Sequence, residues 1–425
     1  MEKITFCINT SINERSHIEL LFRSLNKNLA HKDHDIIVYI ENDNQRTTEF
    51  LLTQKEHFPN LKIVKNPLPV PLDYSRNINL MFEMAKTDIV SYLQSDMVIC
   101  RGYDEEVVKQ LTPDTIISST RIEPPLHPPS SEKITYDFGV DPKTFNLDEF
   151  SIFADSQKRL TTTAYFFAPF TLYKKNWVDI GGHDILFRRS RVDSDIAYRF
   201  AMQGLKLKQA WNVLVYHFTC TSSRGPEWWT EKSKPRIQIQ NQADVIEMGR
   251  FLRKWPQFKH PTTFDPLTEY KYHVSANFRN VTPHNAQSIL QNYYRFNHIY
   301  IDNELVRESL RSEYDNFHTY ANILLNFTPE QWKQYKKYLR TWEFDDIFVS
   351  TPIINDDVII DVDPQTMDVF TNPIVVQIND IVHQSDIGQY ECGTGVLTIN
   401  RVVNRITENI TVKNPSTDDI QFLLL

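Results

Sequence analysis

The chain has 425 residues, 41% hydrophobic and 12% aromatic, so it is too long for one average domain and apolar enough for a packed core; two or three domains are expected. Its formal charge of −8, from 46 basic and 54 acidic residues, argues against a nucleic-acid partner, and its 10 glycines form no GxGxxG or Walker-type phosphate cradle. Cys7, Cys100, Cys220 and Cys392 stand far apart with no CxxC pair, which fits reduced thiols better than a disulfide frame or a zinc site. No signal peptide precedes the opening strand, and no run of about 18 apolar residues is present, so a cytoplasmic protein without a transmembrane segment is expected.

Residues 4–9 read as a first strand, and Asn13 can cap a helix to about residue 29 with the apolar stripe Ile18, Leu21, Phe22 and Leu25. A nearly all-apolar second strand, 35–40, delivers Glu41 and Asp43 at its end. A helix over 47–57 and a third strand over 61–64 follow. Strands alternating with helices predict a doubly wound α/β sheet with right-handed crossovers.

The stretch 72–99 organises the remainder. Ile78, Met81, Phe82 and Ala85 recur at three- and four-residue steps behind Ser75-Arg76-Asn77, which predicts a helix. After a turn at Thr87-Asp88, the apolar run 89–93 has the character of a buried parallel strand and releases Gln94-Ser95-Asp96 at its carboxyl end, where open α/β sheets bind ligands. An acid there can hold a divalent cation against a diphosphate, because hard cations prefer carboxylate and phosphate oxygens; it can equally cap the next turn.

A strand over 116–120 leads into Arg121-Ile122-Glu123-Pro124-Pro125-Leu126-His127-Pro128-Pro129, whose prolines exclude regular structure and predict a long loop, either a lid or a rigid surface excursion. Residues 164–173 are strand-like, and Gly181-Gly182-His183-Asp184 suits a tight turn. Val192-Asp193-Ser194-Asp195 opens a helix with Ile196, Phe200 and Met202 facing inward, Arg199 one turn after Asp195, and Gly204 at its end. Acids at a helix start are favoured by the dipole, so capping by itself accounts for both aspartates. A last strand, 212–216, delivers His217, which reads as a ligand or as an ordinary partly buried histidine.

From about residue 266 the pattern becomes helical, with starts at Thr282-Pro283 and Thr328-Pro329-Glu330-Gln331 and a further helix over 301–325. From 347 on, short Val/Ile runs separated by Asn, Asp, Pro and Gly predict a small β-sandwich. The expected organisation is an α/β catalytic domain over 1–265, a helical extension over 266–345 and a β-rich domain over 346–425. The last two contain no second acidic site and are expected to serve acceptor recognition or self-association.

Over about residues 4–223 these elements, in this order, resemble a nucleotide-sugar glycosyltransferase of the GT-A fold, most similar to glycosyltransferase family 2. Thr10, Asn13 and Glu14 fit the family's Thr and Asn-Glu after the first strand, and Glu41 and Asp43 fit its base- and ribose-contacting acids. Ser75-Arg76-Asn77-Ile78-Asn79 resembles its Ala-Arg-Asn-x-Gly helix start. Gln94-Ser95-Asp96 resembles its Asp-x-Asp, with the first acid missing. Gly181-Gly182-His183-Asp184 resembles Gly-Gly-Phe-Asp, and the segment from Val192 to Arg199 resembles Glu-Asp-x-Asp-Leu-x-x-Arg, with Val192 in place of the glutamate.

The resemblance implies an inverting, metal-dependent transferase that moves a sugar from a nucleoside-diphosphate donor to a hydroxyl of a glycan or glycoconjugate. It implies Asp193 as general base, and Thr10, Asn13, Glu14, Glu41, Asp43, Arg76, Ser95 and Asp96 as donor contacts. Asp96 and His217 would hold Mn²⁺ or Mg²⁺. Asp184, Asp195, Trp228 and Trp229 are acceptor-side candidates, the tryptophans being equally suited to helix packing. A retaining transferase of the same fold and a catalytically weak nucleotide-sugar- or glycan-binding protein are the competing expectations.

Overall fold

A computed structural model describes residues 2–10, 15–41, 45–66, 74–187 and 190–219, and beyond these 247–248, 250–251, 254–255, 275–278, 281, 289–290, 293, 296, 298–301, 303–318, 344–350, 358–362, 388–392, 395–399, 412 and 423–424. Two compact units are present, one made of residues 1–241, 261–263 and 409–425, the other of 242–260 and 264–408. Among the described residues no helix is long and apolar enough to cross a membrane. Cys7 and Cys100 are buried free thiols.

The first unit opens with β1 (Ile4–Thr10), α1 (Arg15–Asn28), β2 (Asp35–Ile40), α2 (Arg46–Gln54), β3 (Leu61–Lys65), α3 (Tyr74–Met84) and β4 (Ile89–Gln94). There follow β5 (Met97–Ile99), α4 (Tyr103–Gln110), β6 (Thr115–Glu123), β7 (Lys133–Thr135), α5 (Leu147–Gln157), β8 (Thr162–Ala164), β9 (Phe170–Tyr173), α6 (Lys174–Asp179), α7 (Val192–Met202) and β10 (Lys206–His217). The strands form one sheet in which β3, β2, β1 and β4 are parallel neighbours, as their alternation with helices predicts. Beyond β4 lie β9, β6, β10 and β5 in that order, β9 running antiparallel to both of its neighbours.

The core is the apolar face the sequence marks: Ile18, Leu21, Phe22 and Leu25 of α1 are buried, together with Phe6, Ile8, Val38, Ile63 and Leu93 from the central strands. Register then decides where the strand ends lie. Thr10 is opposite Ile40 and Asn9 opposite Gln94, so β1, β2 and β4 end level with one another. Antiparallel pairing on both sides of β9 makes β6 parallel to β4, and β10 is parallel to β6, with Tyr216 opposite Ile122. The carboxyl ends of β1, β2, β4, β6 and β10 therefore share one edge of the sheet.

The Pro-rich stretch departs from the expected long loop. The sixth strand continues through Arg121 to Glu123, and after the prolines the chain returns to pair Lys133 with Arg121 and Thr135 with Glu123, so the excursion is tied to the sheet at both ends. The segment 164–173 divides into β8 and β9 around the irregular residues 165–169, where Pro169 lacks the N–H that a continuous ladder requires.

The second unit contains β11 (Ser275–Phe278), β12 (Ile299–Ile301), α8 (Glu304–His318), α9 (Phe344–Ile347), β13 (Phe348–Val349), β14 (Val358–Val362), β15 (Gly388–Cys392) and β16 (Gly395–Ile399). Its strands form one six-stranded sheet in the order β13-β12-β11-β14-β16-β15, parallel from β13 to β14 and antiparallel beyond. This corrects the expected β-sandwich: the Val/Ile runs at 358–362 and 396–399 complete a mixed sheet begun by β11 and β12 inside the expected helical segment. The boundary at 345/346 falls between strands of that sheet. Helix α8 meets the helical expectation for 301–325, while the helix starts at Thr282 and Thr328 lie outside the described residues.

The chain end also crosses the expected division. β17 (Leu423–Leu424) pairs antiparallel with β3, and the Val412 amide donates to the Ile180 carbonyl at 3.1 Å. Residues 409–425 thus belong to the first unit.

Candidate active site

The shared sheet edge gathers Thr10, Glu41, Asp96, Glu123 and His217 from five different strand ends. Asp96 occupies the two-residue turn between β4 and β5 and is 2% exposed. β5 runs antiparallel to β10 with Met97 opposite His217, and the Phe218 amide donates to the Asp96 carbonyl at 3.1 Å. That pairing sets His217 Nε2 3.9 Å from Asp96 Oδ2.

The donor side is built from α3 and the ends of β1 and β2. The Glu41 amide donates to the Thr10 carbonyl at 2.9 Å, and the Glu41 carboxylate accepts from Asn77 Nδ2 at 2.8 Å and from Asn66 Nδ2 at 3.5 Å. Arg76 and Ser95 are buried beside these elements. Gln94, where the resemblance implies an acid, donates to the Tyr74 hydroxyl at 3.1 Å. Among the described residues, the buried Thr10 Oγ1, Asn77 Oδ1 and Gln94 Oε1 have no hydrogen-bond partner. Buried polar atoms are rarely left so, and their position at a binding edge suits a polar ligand. Asn13, Glu14, Asp43, Trp228 and Trp229 lie outside the described residues.

Facing this edge, α7 carries Asp193. Arg191, in the left-handed region at φ 59°, holds the cap position, so Asp193 and Asp195 are helical residues and not the cap itself. Asp195 is corrected from an acceptor candidate to a structural residue: its carboxylate pairs with Arg199, whose Nε donates to Oδ2 at 2.9 Å, and both side chains are buried. Arg199 also donates to the carbonyls of Ile180, at 3.0 Å, and Gly182, tying α7 to the glycine turn. That turn needs glycine twice: φ is 76° at Gly181 and 73° at Gly182, and a Cβ would collide with the Val412 carbonyl and the Trp177 ring respectively.

The following segment is held by α3. The Asn79 side chain accepts from the His183 amide at 2.8 Å and donates to the His183 carbonyl at 2.9 Å, while the Ser75 hydroxyl donates to the Phe187 carbonyl. Asp184 is buried and accepts from the Leu186 amide at 3.0 Å, so it too serves this turn and does not present an open carboxylate to an acceptor.

Asp193 is only partly buried, and burial pushes its carboxyl up to about 6, with Arg121 opposing that rise. Tyr92 feels both Asp193 and Asp96: burial first, then Tyr74 and these two carboxylates, raises its hydroxyl well above the ordinary value. Asp193 and Asp96 therefore both act on Tyr92. His17 of α1 lies edge-on to Phe218 at 5.0 Å between ring centroids; burial lowers its pKa, against the raising effect of Asp96.

Neither a protein-family model nor a curated protein matches the sequence. Solved structures do resemble it. GalNAc-T7 with UDP, GalNAc and Mn²⁺ matches 51% of this chain and 43% of its own at 10% identity and a TM-score of 0.39. TarS from S. aureus matches 74% and 50% at 13% identity and 0.40, and the mannosyltransferase PcManGT from Pyrobaculum calidifontis, with GDP-Man and Mn²⁺, matches 61% and 66% at 16% identity and 0.40. This chain spans about half the length of the first two. All three TM-scores are below 0.5. The α/β sheet expected from the sequence is observed, with the parallel β3-β2-β1-β4 order and an acid released after β4.

The side chains present fit a divalent cation. Asp96 Oδ2 and His217 Nε2 stand 3.9 Å apart, within the roughly 4.2 Å that two metal–ligand bonds of about 2.1 Å can bridge. Among the described residues no group of three or more His, Cys, Asp or Glu side chains is arranged around an ion. A two-ligand protein site of this kind suits Mg²⁺ or Mn²⁺, which complete their shells with phosphate oxygens and water.

Glu123, Arg121 and Lys133 were given no role by sequence pattern. Glu123 Oε1 lies 2.8 Å from His217 Nδ1 and 3.1 Å from Arg121, and Oε2 lies 3.0 Å from Lys133 Nζ. The signal available was Arg121 and Glu123 at alternate positions of one strand, which share a face.

Proposed function

We propose that this protein is an inverting glycosyltransferase, moving a sugar from a nucleoside-diphosphate donor to a hydroxyl of a glycan or glycoconjugate. The carrying observation is the Asp96–His217 pair, 3.9 Å apart at the shared strand ends, with the Asp193 carboxyl, raised to about 6, acting together with Asp96 on one tyrosine, Tyr92. A base poised near neutrality on one side and a cation-holding pair on the other is what attack on an anomeric carbon needs.

In this reading the acceptor hydroxyl attacks the anomeric carbon from the face opposite the diphosphate, and its proton passes to the Asp193 carboxylate. The bond from the anomeric carbon to the diphosphate oxygen breaks, and the diphosphate leaves with the bonding pair. Asp96 and His217 would hold a divalent cation, which would supply positive charge to that leaving group. Thr10, Glu41, Arg76 and Ser95 would hold the nucleotide, supported by the unsatisfied Thr10, Asn77 and Gln94 oxygens at the same edge. Gln94 is tied to Tyr74 and leaves Asp96 as the acid toward the cation.

The test is release of nucleoside diphosphate from a panel of UDP- and GDP-sugars with and without Mn²⁺, with the product anomer read by NMR. Cation-stimulated release and an inverted product are expected. Binding without any turnover would favour the nucleotide-sugar-binding alternative, and a retained anomer would favour the retaining one.

A further inference from the structure

We propose that Glu123 is a positioning residue for His217, fixing its ring so that Nε2 presents a lone pair toward Asp96, with Arg121 and Lys133 holding Glu123 in place. The proposal rests on the transferase reading above.

The geometry carries it. Parallel pairing of β6 and β10 places the ends of the two strands side by side, and Glu123 receives His217 Nδ1 at 2.8 Å. Glu123 is buried among two cations, at 3.1 Å on one oxygen and 3.0 Å on the other. An ionised carboxylate only accepts hydrogen bonds, so the proton on this edge of the ring sits on Nδ1. In the neutral ring Nε2 is then the bare nitrogen, and it is the one that faces Asp96.

The charges point the same way. Two cations engage one carboxylate here, one on each oxygen, which offsets the Glu123 charge and holds the carboxylate in place. Outer carboxylates of this kind orient ligating histidines, and losing them typically costs about 10- to 100-fold in metal affinity.

Glu123→Gln tests the idea with little change of shape. Its single carbonyl would turn to Lys133 and Arg121, leaving an amide N–H₂ toward Nδ1 and reversing the tautomer. We expect Mn²⁺ affinity, read by EPR of the free ion, to fall by about 10- to 100-fold, and ¹H–¹⁵N spectra of the metal-free protein to show Nδ1–H on His217 only in the unsubstituted chain. The His217 signals are assigned by their loss in His217→Gln. Mn²⁺ binding that is lost in Asp96→Asn but undiminished in Glu123→Gln would overturn the role of Glu123 alone. No Mn²⁺ binding by the unsubstituted protein would overturn the transferase reading and this role with it. If Glu123→Gln does not fold, the spectrum of the unsubstituted protein decides: a ring protonated on Nε2 and bare on Nδ1 overturns the proposal.

Discussion

The Asp96 carboxylate and the His217 imidazole face one another at 3.9 Å because β5 and β10 are paired antiparallel with Met97 opposite His217. The relationship is built from backbone hydrogen bonds, so it does not depend on a bound ion. Asp96 is buried, and Asn is the substitution that preserves its volume. Asp96→Asn should fold normally and lose cation-dependent donor binding. Isothermal titration with UDP and Mn²⁺ measures this, and undiminished Mn²⁺ stimulation in the variant would remove Asp96 from the cation site.

His217→Ala should weaken the cation requirement less than Asp96→Asn does, since phosphate oxygens and water supply the remaining positions. The apparent Mn²⁺ constant for donor turnover is the measurement. An unchanged constant would reduce His217 to a partner of Glu123.

Asp193→Asn keeps the size and the place in α7 but cannot accept a proton. Transfer should slow by about 10²- to 10⁴-fold with donor binding retained. In the unsubstituted enzyme, kcat/KM should fall on the acid side with an apparent pKa of about 6, as the carboxylate takes up a proton. A flat profile between pH of about 5 and 8 would be incompatible with Asp193 as the base.

The same group has a stability signature of opposite sign. Its folded pKa of about 6 stands above the ordinary 3.8, so its stabilising contribution is present at pH below about 4 and is lost as pH rises through about 6. Asp193→Asn should therefore be more stable than the parent at pH of about 7, by at most about 3 kcal/mol, and should gain nothing at pH of about 4. Urea denaturation at the two pH values checks this, and a destabilised Asn variant at neutral pH would contradict the cost assigned to the carboxylate.

Asp195→Ala should act oppositely. It strands the Arg199 guanidinium, which is 0% exposed, and breaking a buried pair typically costs about 3–5 kcal/mol. Loss of activity should follow loss of the folded fraction. A stable Asp195→Ala protein that binds donor and fails only in transfer would return Asp195 to the acceptor side.

Local pattern along the chain was enough to define the first half of this protein. Apolar runs ending in Thr10, Glu41 and Gln94-Ser95-Asp96, alternating with helical periods, specify parallel strands that release polar groups at one edge, because the pleat and the crossover rules act on neighbouring elements. The split of α7 into Asp193, which acts on Tyr92, and Asp195, which pairs with Arg199, was only half legible, since both positions read equally well as helix-start acids. What the tertiary structure decided was long-range register. Glu123 and His217 are 94 residues apart, and they meet because β10 pairs parallel with β6, with Tyr216 opposite Ile122. The return of Val412 to the Gly181 turn and of Leu423–Leu424 to β3 is of the same kind. Strand partners distant in sequence are chosen by which edges remain unpaired once the nearer elements have packed, and that competition leaves no periodicity in the chain to be read.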